Sequence, residues 1–244
     1  MSSLSQYPIF VLQHTSGEFL GLMEDHLEGR GIRFNYFRPF TAGGGIPATM
    51  EYSAGLILLG GGPWGTTGGR AVPTLTEELA LTRQAIELGK PVVGIGLGAQ
   101  ILAIAAGGGS EPSDLVLEIG EATRTRDDAL GGFLPERFPL VTFMRDRPVP
   151  PPDAEILATD MHGAPALFQI GENCFGFTGH PGAKAGMAED LIMEFDELPD
   201  GFGETLTEFR GIQKELEDSL VHIMTGLVQA TGWMRAVTGT RAEG

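Results

Sequence analysis

The segment Pro91-Val92-Val93-Gly94-Ile95-Gly96-Leu97-Gly98-Ala99-Gln100 passes from an apolar strand into an apolar helix with almost no loop between them. Glycines at 94, 96 and 98 let a chain turn that sharply. A residue at the apex of such a turn stands beside the N–H groups of a helix N-terminus, an arrangement that presents a nucleophile and stabilises an oxyanion. The same spacing also serves plain packing or an anion cradle. Upstream, Gly60-Gly61-Gly62-Pro63-Trp64-Gly65 ends another apolar run and reads as a tight loop of the oxyanion type, with Trp64 available as a lid or contact residue. No Gly-Lys-Ser/Thr follows these glycines, so they do not form a Walker A loop.

Other reactive residues are few. Cys174 is the single cysteine, which excludes an intrachain disulfide framework and a cysteine-rich metal site. His14 follows the first predicted strand, at the carboxyl edge where α/β proteins bind ligands; it either lines a pocket or is an ordinary loop histidine. His26, His162 and His222 have no acid/base or metal spacing and read as surface or packing residues. No metal site and no cofactor is expected.

The elements that position these residues follow from hydrophobic spacing. Strands are expected at 8–13, 32–38, 55–59 and 91–95, and helices at 18–29, 74–89 and 97–106. The helix at 74–89 opens on Thr74 with Glu77 three residues later, a capping-box pattern, and closes on Gly89. Apolar runs on every strand call for helices on both faces of an open, mostly parallel α/β sheet of the flavodoxin-like kind. Past Gly107 the pattern changes to short strands near 115–119, 138–143, 154–159, 165–170 and 174–178, with the prolines at 148–152 as a turn. Phe202, Leu206, Phe209, Ile212, Leu216, Leu220, Ile223 and Leu227 recur every three or four residues, predicting one long amphipathic helix over 202–228. The expected organisation is a domain over 1–198 and a C-terminal helix and tail over 199–244, packed on the domain or on a partner. Residues 236–244 read as a frayed end.

Three segments together resemble class I glutamine amidotransferases, especially stand-alone members related to the glutaminase domain of GMP synthetase. Leu58-Leu59-Gly60-Gly61-Gly62-Pro63 is similar to the family's Gly-Gly-Pro oxyanion loop, and Gly94 to Gln100 to its elbow Gly-Ile-Cys-Leu-Gly-His/Ala-Gln. Phe175-Gly176-Phe177-Thr178-Gly179-His180-Pro181-Gly182 is similar to its Gly-Val-Gln-Phe-His-Pro-Glu. The resemblance covers roughly residues 7–195 and implies the family's α/β fold. It places His180 at the general base, but puts Gly96 at the nucleophilic cysteine and Gly182 at the acid that orients the histidine. Glycine offers no thiolate, so no acyl-enzyme can form. What the resemblance leaves is the shell: Gly61, Gly62 and the Leu97 N–H as an oxyanion hole, and Gln100 as a substrate-binding position. Cys174, six residues before His180 on a strand, lies about 20 Å away and reads as structural. Ser110 and Ser113 lie too far along the chain to take the nucleophile's place.

Charge bounds the partners. Thirty-two acidic residues against 16 basic ones give −16, which disfavours nucleic acid and anionic membranes. Residues 184–218 hold 11 acids and 3 bases, a solvated surface or an acidic docking face. No apolar run approaches the roughly 20 residues of a membrane span, and the N-terminus does not read as a secretory signal, so a soluble, cytoplasmic protein is expected. The leading functional expectation is an amidotransferase-like protein without glutaminase chemistry, acting as a binding or regulatory subunit of a synthetase or ligase, or as a homo-oligomer, with room for a small-molecule ligand at the elbow. Two alternatives stand beside it. One is a hydrolase of another substrate using His180 and the oxyanion hole; the other is a glutaminase whose cysteine was replaced.

Overall fold

The computed structural model describes residues 7–197 and 199–234. Its first half alternates strand and helix: β1 (Ile9–Leu12), α1 (Met23–Glu28), β2 (Phe34–Phe37), β3 (Gly55–Leu58), α2 (Leu75–Glu87), β4 (Val92–Ile95) and α3 (Leu97–Ala105). The second half begins with β5 (Gly109–Glu111), β6 (Val116–Arg124), β7 (Arg137–Met144) and β8 (Arg147–Val149). It continues with β9 (Glu155–Thr159), β10 (Pro165–Ile170) and β11 (Cys174–Phe177), then α4 (Ala185–Glu194), α5 (Phe202–Gly211) and α6 (Gln213–Thr231).

Nine of these strands form one sheet in the order β2-β1-β3-β4-β11-β10-β9-β6-β7, and β5 pairs with β8 separately. The five strands from β2 to β11 are parallel, while β10, β9, β6 and β7 extend the sheet antiparallel. Every residue of β1, β3, β4 and β11 is buried, as a sheet covered on both faces requires. Alternation divides them: Ile9, Val11, Ile57 and Val93 pack with Leu27 of α1 and Leu220 and Leu227 of α6. Phe10, Leu12, Leu56 and Leu58 pack with Leu81 of α2 and Ile101 of α3. The α/β fold with helices on both faces is therefore as the apolar runs imply, and α6 buries its apolar stripe within its own chain.

Several boundaries differ from the expected ones. The predicted helix at 18–29 is only α1, because residues 13–22 are held as a loop by polar contacts: Gln13 Nε2 donates to the Thr15 carbonyl at 2.8 Å, and the Leu20 N–H donates to the Tyr36 hydroxyl at 3.0 Å. Thr74 makes no capping hydrogen bond; its hydroxyl donates instead to the Glu78 carboxylate at 2.5 Å. The single helix expected over 202–228 is two, with the break at Ile212. Its apolar spacing continues through the break because α5 packs on β6 and β7 while α6 packs on the main core. Pro148, read as part of a turn, lies in β8, and α4 went unread. The frayed end expected at 236–244 lies outside the described residues.

The contact that fixes the elbow is between α3 and β3. A Cβ on Gly98 would overlap the Leu58 carbonyl, and the Gly98 N–H donates to the Leu59 carbonyl at 3.2 Å. Substituting Gly98→Ala should therefore cost about 2–3 kcal/mol of stability, as overpacking does. Urea denaturation measures this, and a variant as stable as the parent would mean that α3 can back away from β3 freely.

Candidate functional site

Gly96 caps α3 with φ +56° and ψ −113°, a left-handed backbone that a side chain adopts only under strain. Its N–H donates to the Phe177 carbonyl at 2.8 Å, and its own carbonyl accepts from Ala99 at 3.0 Å, so the turn is held from both sides. Space is not the obstacle to a side chain here. A Cβ on Gly96 would lie 3.6 Å from Gly60 Cα and 3.9 Å from the Phe143 carbonyl oxygen, ordinary contacts. Leu97 is the first residue of α3, so its N–H has no partner within the helix.

His180 lines the cavity at Gly96, but its ring is committed. Nδ1 accepts the Gly182 N–H at 3.1 Å and Nε2 lies 2.8 Å from the Phe19 carbonyl oxygen. A carbonyl only accepts, so the proton sits on Nε2 and neither nitrogen has a lone pair to spare. Burial lowers the His180 pKa to about 4, against the pull of the Phe19 carbonyl, so the ring is neutral near pH 7. Gly182 has no room for a carboxylate. A Cβ there would lie 2.8 Å from Met23 Cγ and 2.9 Å from the Met23 nitrogen, and the Gly182 carbonyl already accepts the Leu22 N–H at 2.9 Å.

Two acids and a histidine that sequence spacing did not connect lie behind the glycine loop. His14 is buried, with Nδ1 3.0 Å from the Gly60 carbonyl oxygen and Nε2 2.7 Å from Glu78 Oε2. Both partners accept, and Glu78 takes the Thr74 hydroxyl on its other oxygen, so a doubly protonated ring satisfies all of them. Burial pulls the His14 pKa down, but the Glu78 carboxylate and the Gly60 carbonyl more than offset it and raise it above the ordinary value. With the Gly60 carbonyl turned to His14, the trans peptide aims the Gly61 N–H the opposite way. Glu18, also buried, accepts the Gly62 N–H on Oε2 and lines the elbow cavity with Gly96 and His180. Burial raises its pKa to about 7, against the Gly62 N–H and the nearby His14 charge. Sequence offered one signal for this cluster, a glutamate four residues after a histidine at a strand's carboxyl edge.

The remaining expected site residues are used structurally. Gln100 is buried, accepting from the Thr66 hydroxyl at 3.0 Å and donating to the Arg145 carbonyl at 2.6 Å. Gly61 faces the Leu97 side chain, and Gly62 takes φ +55° beneath Leu191 and Phe195. Trp64 packs against the core under α2 and α3 rather than over the elbow. Cys174 is buried in β11, where burial raises its thiol pKa. The Ser113 N–H donates to Asp146 at 3.2 Å. Among the described residues no group of three or more His, Cys, Asp or Glu is placed to hold a metal ion, and no helix is long and apolar enough to cross a membrane.

A cover closes the elbow. Met187 and Leu191 of α4 and Phe209 of α5 line a cavity of about 30 Å³, room for a water and not for an amino acid. Ser16 fastens the cover by donating from N and Oγ to Glu194 at 2.9 and 2.6 Å. Glu197 pairs with Arg145 and, at 2.5 Å, with Arg70. Arg145 also donates to the Pro63 carbonyl at 3.0 Å, which ties the cover to the glycine loop.

Residues 23–194 match the family described as glutamine amidotransferase class-I. No protein of curated function is matched by the sequence. Among solved structures, a glutamine amidotransferase from Methylobacillus flagellatus superposes with TM-score 0.79 at 23% identity, covering 93% of this chain and 96% of that one. A glutamine amidotransferase from Thermotoga maritima gives 0.77 at 20% identity, covering 93% and 99%. A protein described as a candidate subunit of GMP synthase, from Thermoplasma acidophilum, gives 0.54 at 18% identity, covering 86% and 98%. At these identities the structures speak for the fold.

The buried groups predict opposite pH signatures. Glu18 rises from 4.5 to about 7 on folding, so the folded state keeps a proton that the unfolded chain sheds across that window. Its contribution to stability is present below about pH 4.5 and is lost as pH rises through 7. Glu18→Gln keeps an acceptor for the Gly62 N–H and should gain stability relative to the parent between pH 4.5 and 8, by on the order of 3 kcal/mol. Urea melts at both pH values check this, and a pH-independent difference would mean that Glu18 is ionised without penalty. For His180, ¹⁵N spectra at pH 6 should show a neutral ring protonated on Nε2; an imidazolium would contradict the hydrogen bond from Gly182.

Proposed function

Since this chain belongs to the class I glutamine amidotransferase family, we propose that it has lost glutaminase chemistry and serves, in the cytoplasm, as a binding or regulatory subunit of a synthetase or ligase complex. The observation that carries this reading is Gly96, which stands at the apex of an intact elbow with no side chain to attack an amide. Two further features support it. A side chain at 182, the position matched to the family's acid, would run into Met23 Cγ and the Met23 nitrogen, and the histidine that would act as base gives both nitrogens to backbone groups. A role in a complex also fits the description of one structural neighbour as part of a synthase.

The other two readings gain nothing from the geometry. A hydrolase that uses His180 as base needs a free ring nitrogen and a cavity larger than one water. A glutaminase from which only the cysteine is missing needs an acid near 182, where Met23 leaves no space.

Two measurements test the proposal. Purified Gly96→Cys protein should release no more ammonia from glutamine than the parent, because neither the acid nor a free base is restored. Glutaminase turnover in that variant would overturn the loss of chemistry. Affinity purification from the native cell, with stoichiometry from mass spectrometry, should return a synthetase- or ligase-like protein in equimolar amount. Recovery of the chain alone, or only with itself, would overturn the subunit role.

A further inference from the structure

A second cavity lies on the reverse side of β7. Side chains alternate across a strand, so Val141 and Phe143 face the elbow while Leu140, Thr142 and Met144 face away from it. These three, with Val116, Glu118 and Gly120 opposite them on β6, floor a cavity of about 330 Å³, a volume suited to a small metabolite. The β5–β8 pair walls one side through Glu111 and Arg147, and the turn at Asp160 and Met161 walls the other. Gly120 keeps the floor open, since a Cβ there would meet only Met161 Sδ, at 3.7 Å.

Two independent observations indicate what it holds. Thr142 is 8% exposed, and its hydroxyl makes no hydrogen bond with any described residue although it lines the cavity. The oxygen itself is open to the cavity, so its hydrogen bonding is left to whatever the cavity holds. The charge of the lining is the second. Of the acids that line it, Glu111 faces the one lining cation, Arg147, across β5 and β8, Glu121 lies 3.7 Å from Arg137, and Asp160 accepts the His162 and Ala164 N–H groups, which leaves Glu118. Asp146 also lines the cavity but spends its oxygens on Thr66, Thr67 and Ser113. Glu118 is paired across from Thr142 and makes its single contact with the exposed His162, at 3.0 Å.

We propose that this cavity binds a small aliphatic amine. Its ammonium group would lie between the Glu118 carboxylate and the Thr142 hydroxyl, both acceptors, and its carbon chain against Leu140, Met144 and Met161. The site lies across β7 from the elbow, the two linings sharing only Thr178, and does not depend on whether that elbow retains chemistry.

Calorimetric titration of the full chain with putrescine tests this, with glutarate as the anionic control and ionic strength held constant. Saturable one-to-one binding of putrescine is expected, and none of glutarate. Thr142→Val keeps the shape and removes only the hydroxyl, and Glu118→Gln removes only the charge. Each should weaken binding about tenfold or more, with the circular dichroism melt unchanged. No saturable binding at millimolar putrescine overturns the proposal. So does either variant binding as tightly as the parent, which would reduce the effect to the general attraction of a chain of net charge −16 for cations.

Discussion

The candidate site depends on how closely α3 approaches β3. At Gly98 only backbone separates them, the Leu58 carbonyl lying where a Cβ would go, and this closeness puts the start of α3 beside the loop at 60–62. The turn that leads into it must complete itself within one residue, which is why Gly96 carries a left-handed φ of +56°. The first residue of α3, the loop at 60–62 and the space at Gly96 lie together for that one reason. The elbow persists as a consequence of packing, whether or not it has anything to catalyse.

Behind that turn the chain arranges buried charge so that it satisfies itself. A doubly protonated His14 neutralises Glu78 and at the same time holds the Gly60 carbonyl, which sets the direction of the next N–H. One N–H further on, Glu18 supplies a carboxylate to Gly62. A loop whose donors would suit an anionic ligand thus receives an anion from its own chain. The cost is a carboxylate kept out of water, and it appears as the raised pKa of Glu18.

Much of this was legible in the residues. The strands β1, β3 and β4 show as short apolar runs because both of their faces are buried, and the elbow shows because only glycines permit it. The segments that were misread are those in which a polar contact or a second packing partner overrides local preference. Residues 18–22 carry helical spacing, yet the Tyr36 hydroxyl, which takes the Leu20 N–H, holds them as a loop. Thr74 looks like a cap, but the Glu78 carboxylate competes for its hydroxyl. The stripe from Phe202 to Leu227 reads as one helix because both halves are amphipathic, and spacing carries no sign that they face different partners. His14, Glu18 and Glu78 were unreadable as a group, since the 46 residues from His14 to Gly60 and the 64 from His14 to Glu78 are closed only by the sheet.

The cover over the elbow and the glycine at 182 belong to one arrangement of packing. With no side chain at 182, the start of α1 can lie directly on that backbone, and the Leu22 N–H bonds to the Gly182 carbonyl. That placement brings the Phe19 carbonyl to His180 and so orients its ring. A neutral, fully bonded histidine costs little to bury, so Phe209, Leu191 and Met187 can close over it and remove apolar surface from water. Each step favours the next, and the result is a site of about 30 Å³ in which no amino acid fits. On the proposed reading, binding must then be carried by what lies outside the cover. Alternation along β7 separates the two sides: Val141 and Phe143 line the elbow cavity, and Leu140, Thr142 and Met144 floor an open one.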